Sequence, residues 1–364
     1  MKKLDRYILK QYLKTFFFFL LISTMITVAV DYSEKADAFI KSGLSASEIF
    51  YKYYIGFIPH ITALLFPVFV LIAVVFFTSR LAARSEVVAM LSVGVGLRRF
   101  LLPYWIGSSL LAILLLFSNH QLVPVANRIR TEFEARYIND PDPAQRSASQ
   151  YQSNLHFRVD TFTYAGMRYF DTAIKNGSGF YLQRLKNNQV VYNIRSENFQ
   201  WDTTTKRWKL QNVVERKIDG MKESVRYFPD TSMQLGYLPS ELVSDHYRKD
   251  KLKTSALEKL IRQERLRGAE GINAMLFERY RRDANAISVI IMTLMGAILA
   301  SRKARGGSGL HLALAFVIGV AFILFDKFSM VFSVKANLPP LIAAWLPNVI
   351  FSVVAMQLFV KAPK

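Results

Sequence analysis

The sequence predicts a polytopic α-helical membrane protein: six transmembrane helices, three on either side of an inserted all-β, jelly-roll-like domain. Three observations lead there. The chain of 364 residues is 52% hydrophobic and holds 28 Phe, more apolar material than a soluble core of this size requires. Six apolar runs lie at about 8–30, 56–79, 101–123, 284–301, 310–334 and 340–360. Each comes near the length of about 20 residues that spans a hydrocarbon layer about 30 Å thick. Between the third and fourth runs the pattern changes to short alternating stretches, the period of antiparallel strands. The expected domains are therefore 1–124 (three helices), 125–283 (the insert with helical connectors) and 284–364 (three helices).

Taken in order, the first run follows basic residues and is not followed by a small-residue cleavage site, so it reads as a retained helix. Pro59 and Pro67 in GFIPHITALLFPVF should kink the second run, while Trp345, Pro347 and Asn348 interrupt the sixth. The insert opens on VPVANRIRTEFEARY, which has helical spacing, and passes through the Pro- and Ser-rich NDPDPAQRSASQ. HFRVDTFTYAG, MRYFDTAI, GFYLQRL, QVVYNIRSENFQW, RWKLQNVVERKI and ESVRYF read as strands, and FQWDTTTKRWKL as a hairpin. Six short strands without helices suggest a sandwich or jelly roll. LEKLIRQERLRGAEGINAMLFERYRR then returns as helix to the bilayer.

Orientation follows from the short loops. Lys2, Lys3, Arg6, Lys10 and Lys14 precede the first span with only Asp5 against them. The 80–99 loop holds Arg80, Arg84, Arg98 and Arg99, and the next basic turn holds Arg302, Lys303 and Arg305. Basic loops stay inside, so both termini are expected in the cytoplasm. Arg279, Arg281 and Arg282 break the rule, since they precede the fourth span on the outer side. A long translocated insert carries such charges with it, but their presence calls for a reason.

Composition and motifs exclude much chemistry. With no cysteine there is neither disulfide, thiol catalysis nor thiolate metal site. The net charge of +20 suits an anionic partner, but Lys and Arg gather at cytoplasmic helix ends in any membrane protein, and nucleic acid is not expected. No G-x-x-x-x-G-K-[ST] loop, no H-E-x-x-H spacing and no G-x-S-x-G elbow occurs, and the short Gly306–Gly309 turn is a poor phosphate loop. No enzyme or cofactor reading stands.

The charges near the spans are more informative, because one placed in hydrocarbon costs several kcal/mol unless paired or hydrated. Asp326 and Lys327 in FILFDKFSMVF do not face each other. Lys327 can snorkel, whereas Asp326 needs a partner on another helix or a substrate path to line. Asp31 and Lys35 stand one turn apart, as a structural pair. Alternatively Lys35 joins Lys41, Arg279, Arg281 and Arg282 in a basic rim suited to a phosphorylated lipid. On the cytoplasmic side RSEVVAMLSVGVG allows a two- or three-turn helix with Val87, Met90 and Leu91 on one face, Val88 beside them, Glu86 in the first turn, and Gly94 and Gly96 ending it. Such a helix lies on the membrane or serves as a knob for the groove of a cytosolic partner.

KKLDRYILKQYLKTF, SRLAARSEVVAMLSVGVGLRRFLLP and NLPPLIAAWLPNVIF resemble the LptF/LptG (YjgP/YjgQ) permeases of the lipopolysaccharide exporter. LDRY and the Asp of FILFDKF lean toward the LptG side. The resemblance implies a non-catalytic permease subunit of an ABC transporter in the inner membrane, its β domain periplasmic. Its implied partners are a cytosolic LptB-type ATPase dimer, a second LptF/LptG-type permease, LptC/LptA-type bridge proteins and lipopolysaccharide. The loop helix would be the coupling helix, with Arg84, Glu86, Val87, Met90, Leu91 and Arg98 meeting the ATPase. Asp31, Lys35, Lys41, Arg279, Arg281, Arg282 and Asp326 are the candidates for the lipid, although Glu34 stands where the family pattern leads one to expect a base. The competing reading is a permease-like structural or regulatory protein that transports nothing.

Overall fold

The structure is a computed structural model that describes residues 3–138, 151–171, 174–186, 189–235, 239, 248–267, 271–302 and 308–362. The Pro- and Ser-rich stretch at 139–150 and most of the basic turn, 303–307, lie outside the described residues.

α1 (Lys3–Ser42) is one unbroken helix of 40 residues. At 1.5 Å per residue it is about 60 Å long, twice the hydrocarbon thickness, so it extends well past its apolar run. Gly43, at φ +67°, ends it, and a capping box of Ser45 and Glu48 starts the short α2 (Ala46–Ile49). A π turn at Phe50–Tyr54 leads into α3 (Ile55–Ala83), which contains both Pro59 and Pro67. α4 (Glu86–Ser92) and α5 (Leu97–Phe117) follow. A second π turn joins α5 to α6 (Val123–Phe133). After the strands come α7 (Arg248–Lys251), α8 (Thr254–Arg267), α9 (Ile272–Ala300), α10 (Ser308–Lys335) and α11 (Pro340–Val360). Six helical stretches among the described residues are long and apolar enough to cross a membrane: 3–42, 46–83, 97–138, 272–300, 308–335 and 340–360. Each of the six apolar runs of the sequence coincides with one of them, the fourth ending a residue beyond its helix. The stretch read as one returning helix is two, broken before Ile272 where Gly271 takes φ +84°.

The chain divides into two compact units. The first comprises 1–134, 249–258 and 273–364; the second comprises 135–248 and 259–272. In the first, α3 is the central helix, with Val70, Leu71, Ala73, Val74 and Val75 fully buried. Small residues allow the close approaches usual between helices in lipid. A Cβ on Gly296 would meet Leu71 at 2.9 Å, one on Gly319 would meet Val68 at 2.7 Å, and one on Gly107 would meet Tyr12 at 2.7 Å. One core cluster joins Ile8, Tyr12 and Phe16 of α1 to Leu81, Val87, Leu97, Phe100 and Ala362. The first turns of α1, Ala362 and α4 therefore gather at the same end of this unit.

The second unit holds six strands: β1 (Tyr151–Arg158), β2 (Thr163–Asp171), β3 (Asn176–Lys186), β4 (Gln189–Asp202), β5 (Arg207–Asp219) and β6 (Lys222–Met233). They pair antiparallel in chain order as one sheet, so the expected all-β insert takes the connectivity of a meander. The expected hairpin is β4–β5: Trp201 pairs with Trp208 across it, and the Asp202 carboxylate accepts the Thr204 amide at 2.8 Å to close the turn. Phe170, Phe180, Phe199 and Trp208, all at most 1% exposed, pack in one cluster, with Gly179 at φ +69° breaking the alternation just before Phe180. Burying side chains of this size contributes about 1.5–3 kcal/mol each.

Candidate functional site

The cytoplasm-type loop of the sequence folds as a tight turn, a short helix and a second turn. Ser85 precedes α4 in the left-handed region at φ 59°, and Gly94, at φ +87°, follows it. The Gly94 amide donates to the Leu91 carbonyl at 3.0 Å and the Val95 amide to that of Met90 at 3.1 Å, closing the helix C-terminus as a glycine in this conformation allows. Val87 is fully buried, and Met90 and Leu91 pack against the same core. Apolar groups at i, i+3 and i+4 form the face that α4 turns toward its own chain, Val87 wholly and Met90 and Leu91 in part. What α4 leaves outside is Glu86, Val88 at 51% exposure, Ala89, Ser92 and Val93 at 84%. Arg84 approaches Glu86 at 3.9 Å, a loose and exposed pair that leaves the carboxylate open to a stronger partner. Arg98 is exposed at the edge of an apolar pocket of about 440 Å³ lined by Leu101, Trp105, Leu294 and Phe359. Arg99, its neighbour, turns the other way and donates to Asp5 of α1 at 2.6 Å.

The other charged candidates lie toward the opposite end of the helical unit and fall into two sets. In the first, Lys35 Nζ donates to Asp31 Oδ1 at 2.7 Å and reaches Glu134 at 3.4 Å. It also bonds the Tyr53 hydroxyl, which itself donates to Asp31 at 3.1 Å. Arg130 grips Glu134 through both carboxylate oxygens, at 3.0 and 2.9 Å. This set ties α1 to the π turn before α3 and to the end of α6, a link that spacing alone revealed only as far as the Asp31–Lys35 pair. Lys41 is exposed and has no ion-pair partner among the described residues.

In the second set Arg279 donates to Glu258 and Asp283, both at 2.6 Å. Arg281 meets Glu278 at 3.0 Å and Asp326 at 3.4 Å. Arg282, 4% exposed, meets Glu278 at 3.1 Å and donates to the carbonyls of Leu252 and Lys249 and to the Thr254 hydroxyl. Three guanidinium groups thus face four carboxylates, so these arginines take part in an ion-pair network within the helical unit. The sequence contains the reason, since Glu258, Glu278 and Asp283 flank them, but only the fold brings these acids to bear. Asp326 has the partner it needed, on α9. Asp250 of α7, outside the spans, has its pKa pushed up to about 6, by burial first and by Glu278 second, against the pull of Lys249 and the arginines.

On the sheet, a groove of about 940 Å³ is lined by Arg168, Tyr181, Arg195, Asn212 and Tyr227, with Phe180 of the aromatic core at its wall.

Six helical stretches long and apolar enough to cross a membrane, an antiparallel β insert between the third and fourth in chain order, and a short helix braced on the helical core define a polytopic membrane protein of the permease type. The chain belongs to the lipopolysaccharide export system permease LptF/LptG family, whose model matches residues 6–361. It is accordingly a lipopolysaccharide-transport permease, of a family that is not a catalytic one. A comparison with curated proteins finds no match.

Proposed function

We propose that this chain is the permease subunit of an ABC transporter that extracts lipopolysaccharide from the inner membrane and passes it to a periplasmic bridge. A separate cytosolic LptB-type ATPase dimer supplies the energy, a second LptF/LptG-type permease completes the pore, and LptC/LptA-type proteins receive the lipid. Both termini are cytoplasmic and the β domain is periplasmic. Residues 1–124 and 284–364 form the membrane portion and 125–283 the β portion with its connectors.

The observation that carries the reading is α4. Its apolar side is anchored on the core, while Glu86, Val88, Ser92 and Val93 face outward beside Arg84 and Arg98. A seven-residue helix held rigidly on one side and bare on the other suits insertion into a groove of a partner, with Glu86 meeting a base there. Val87, Met90 and Leu91 serve by holding α4 in place. At the other end Lys41 is the cation most available to a lipid phosphate, with Lys35 and Asp31 beneath it. Arg279, Arg281, Arg282 and Asp326 shape that end by bracing α9 against α10 and the connectors.

The test is copurification from membranes. Wild type should retain a cytosolic ABC ATPase, identified by mass spectrometry, and Glu86→Arg should lose it or lose lipid-stimulated ATP hydrolysis while the chain stays folded. Retention and normal stimulation with Glu86→Arg would remove α4 as the coupling element. If wild type retains an ATPase that lipid does not stimulate, the non-transporting reading gains.

A further inference from the structure

We propose that the Asp5–Arg99 ion pair is the link by which movement of α4 reaches α1, making Arg99 a positioning residue for lipid export and Asp5 its buried counter-charge. This rests on α4 being the coupling helix.

Three observations lead to it. First, the pair is close and one-sided: Arg99 Nη2 lies 2.6 Å from Asp5 Oδ2, and the Asp5 side chain is 5% exposed against 38% for Arg99. Second, Arg99 moves with α4. Only Val93–Gly96 separate the two helices, and the Arg99 amide donates to the Gly96 carbonyl at 2.9 Å. Val87 of α4 and Leu97 and Phe100 of α5 lie in one core cluster, which Ile8 and Tyr12 of α1 also join, so the ion pair stands beside an apolar contact among the same three helices. Third, α1 is held most firmly at its inner end, with only partly buried contacts such as Phe19 against Phe76 of α3 in its middle stretch. Asp5, Ile8, Tyr12 and Phe16 are buried, and no described residue of α1 from 17 to 30 is. A stiff helix held this way responds to whatever displaces its inner end.

The chemistry of the contact fits transmission better than adhesion. Two apolar side chains would hold these helix ends together at least as firmly, since a buried ion pair must overcome its own desolvation. A charge-assisted hydrogen bond adds direction: the guanidinium must follow the carboxylate or lose the bond. The pair therefore converts a shift of α5 into a shift of α1 and not into slippage.

The experiment uses the assembled complex, with the ATPase and second permease, in proteoliposomes containing lipopolysaccharide. ATP hydrolysed and lipid extracted are measured on the same samples. Asp5→Arg and Arg99→Asp should each lower lipid extracted per ATP by about five-fold or more, the smallest effect typical of energetic coupling between sites, with the ATPase still bound. The exchanged pair, Asp5→Arg with Arg99→Asp, should regain much of the loss, which a purely structural defect would not. Asp5→Asn, nearly isosteric, guards against misfolding and should fall between. Wild-type extraction per ATP in Asp5→Asn and in either reversal overturns the proposal, as does an exchanged pair that assembles but does no better than the single reversals. If wild type neither retains the ATPase nor extracts lipid, the permease reading falls and the link with it. If wild type extracts lipid and the Asp5 variants match it, the link alone falls.

Discussion

Arg282 and Lys41 were candidates for the same task, and their surroundings separate them. Arg282 is 4% exposed and bonds Glu278, Thr254 and two backbone carbonyls, whereas Lys41 stands exposed at the end of α1. Removing one partner of a buried pair costs about 3–5 kcal/mol because it strands the other charge. Arg282→Ala should therefore lower the thermal midpoint of the detergent-solubilised protein by several degrees. Lys41→Ala should leave the midpoint alone and weaken lipid extraction; the reverse pattern would return the lipid role to Arg282. Asp250 offers a pH test. Its pKa rises from the ordinary aspartate value of 3.8 to about 6 in the fold, so the folded state holds the proton more tightly. The associated stability is present below about pH 4 and is lost as pH rises toward 6. Asp250→Asn should flatten that decline in a series of melts between pH 4.5 and 7.5; an unchanged slope would mean that another group produces it.

At the scale of elements, close approach decides the packing of the helical unit. A Cβ at Gly56 would lie 2.5 Å from the Ala126 carbonyl oxygen and 2.7 Å from the Arg130 nitrogen. Both are backbone atoms of α6, with no side-chain freedom to yield. Overpacking of this kind costs about 1–3 kcal/mol, so Gly56→Ala should destabilise the protein by that order in thermal or denaturant unfolding. An Ala variant as stable as wild type would show that α6 can shift. α4 makes the complementary point. Val87, Met90 and Leu91 lie on the side facing the core, so seven residues hold one orientation and leave an outer surface that includes Val88.

Over the molecule as a whole, burial is uneven among the six spans. The most apolar window of the span at 46–83 is 67% buried, that of α1 only 6%, and that of α10 22%. α1 exposes Phe17, Phe18, Leu21, Met25, Ile26 and Val30, an apolar strip that lipid or another chain must cover. The absence of cysteine makes this testable with a single label. A spin label at Met25→Cys should be accessible to oxygen in the chain alone and lose that access when the second permease joins. Unchanged access in the complex would mean that the strip faces lipid there too.

The sequence by itself determined the spans, the β insert and the short helix between the second and third spans. Each is written in local periodicity, apolar length and turn residues, and each depends on transfer of nearby groups from water. Asp31–Lys35, one turn apart, was legible for the same reason. Only the tertiary structure decided what the charges do. Asp5 and Arg99 are 94 positions apart and Arg281 and Asp326 are 45, so no spacing rule joins them. The burial of Val87 likewise depends on the fold, since a helical stripe says that a face is apolar but not what will cover it. Electrostatic partnership is a matter of distance in space, and that distance is set by helix packing that no local pattern records.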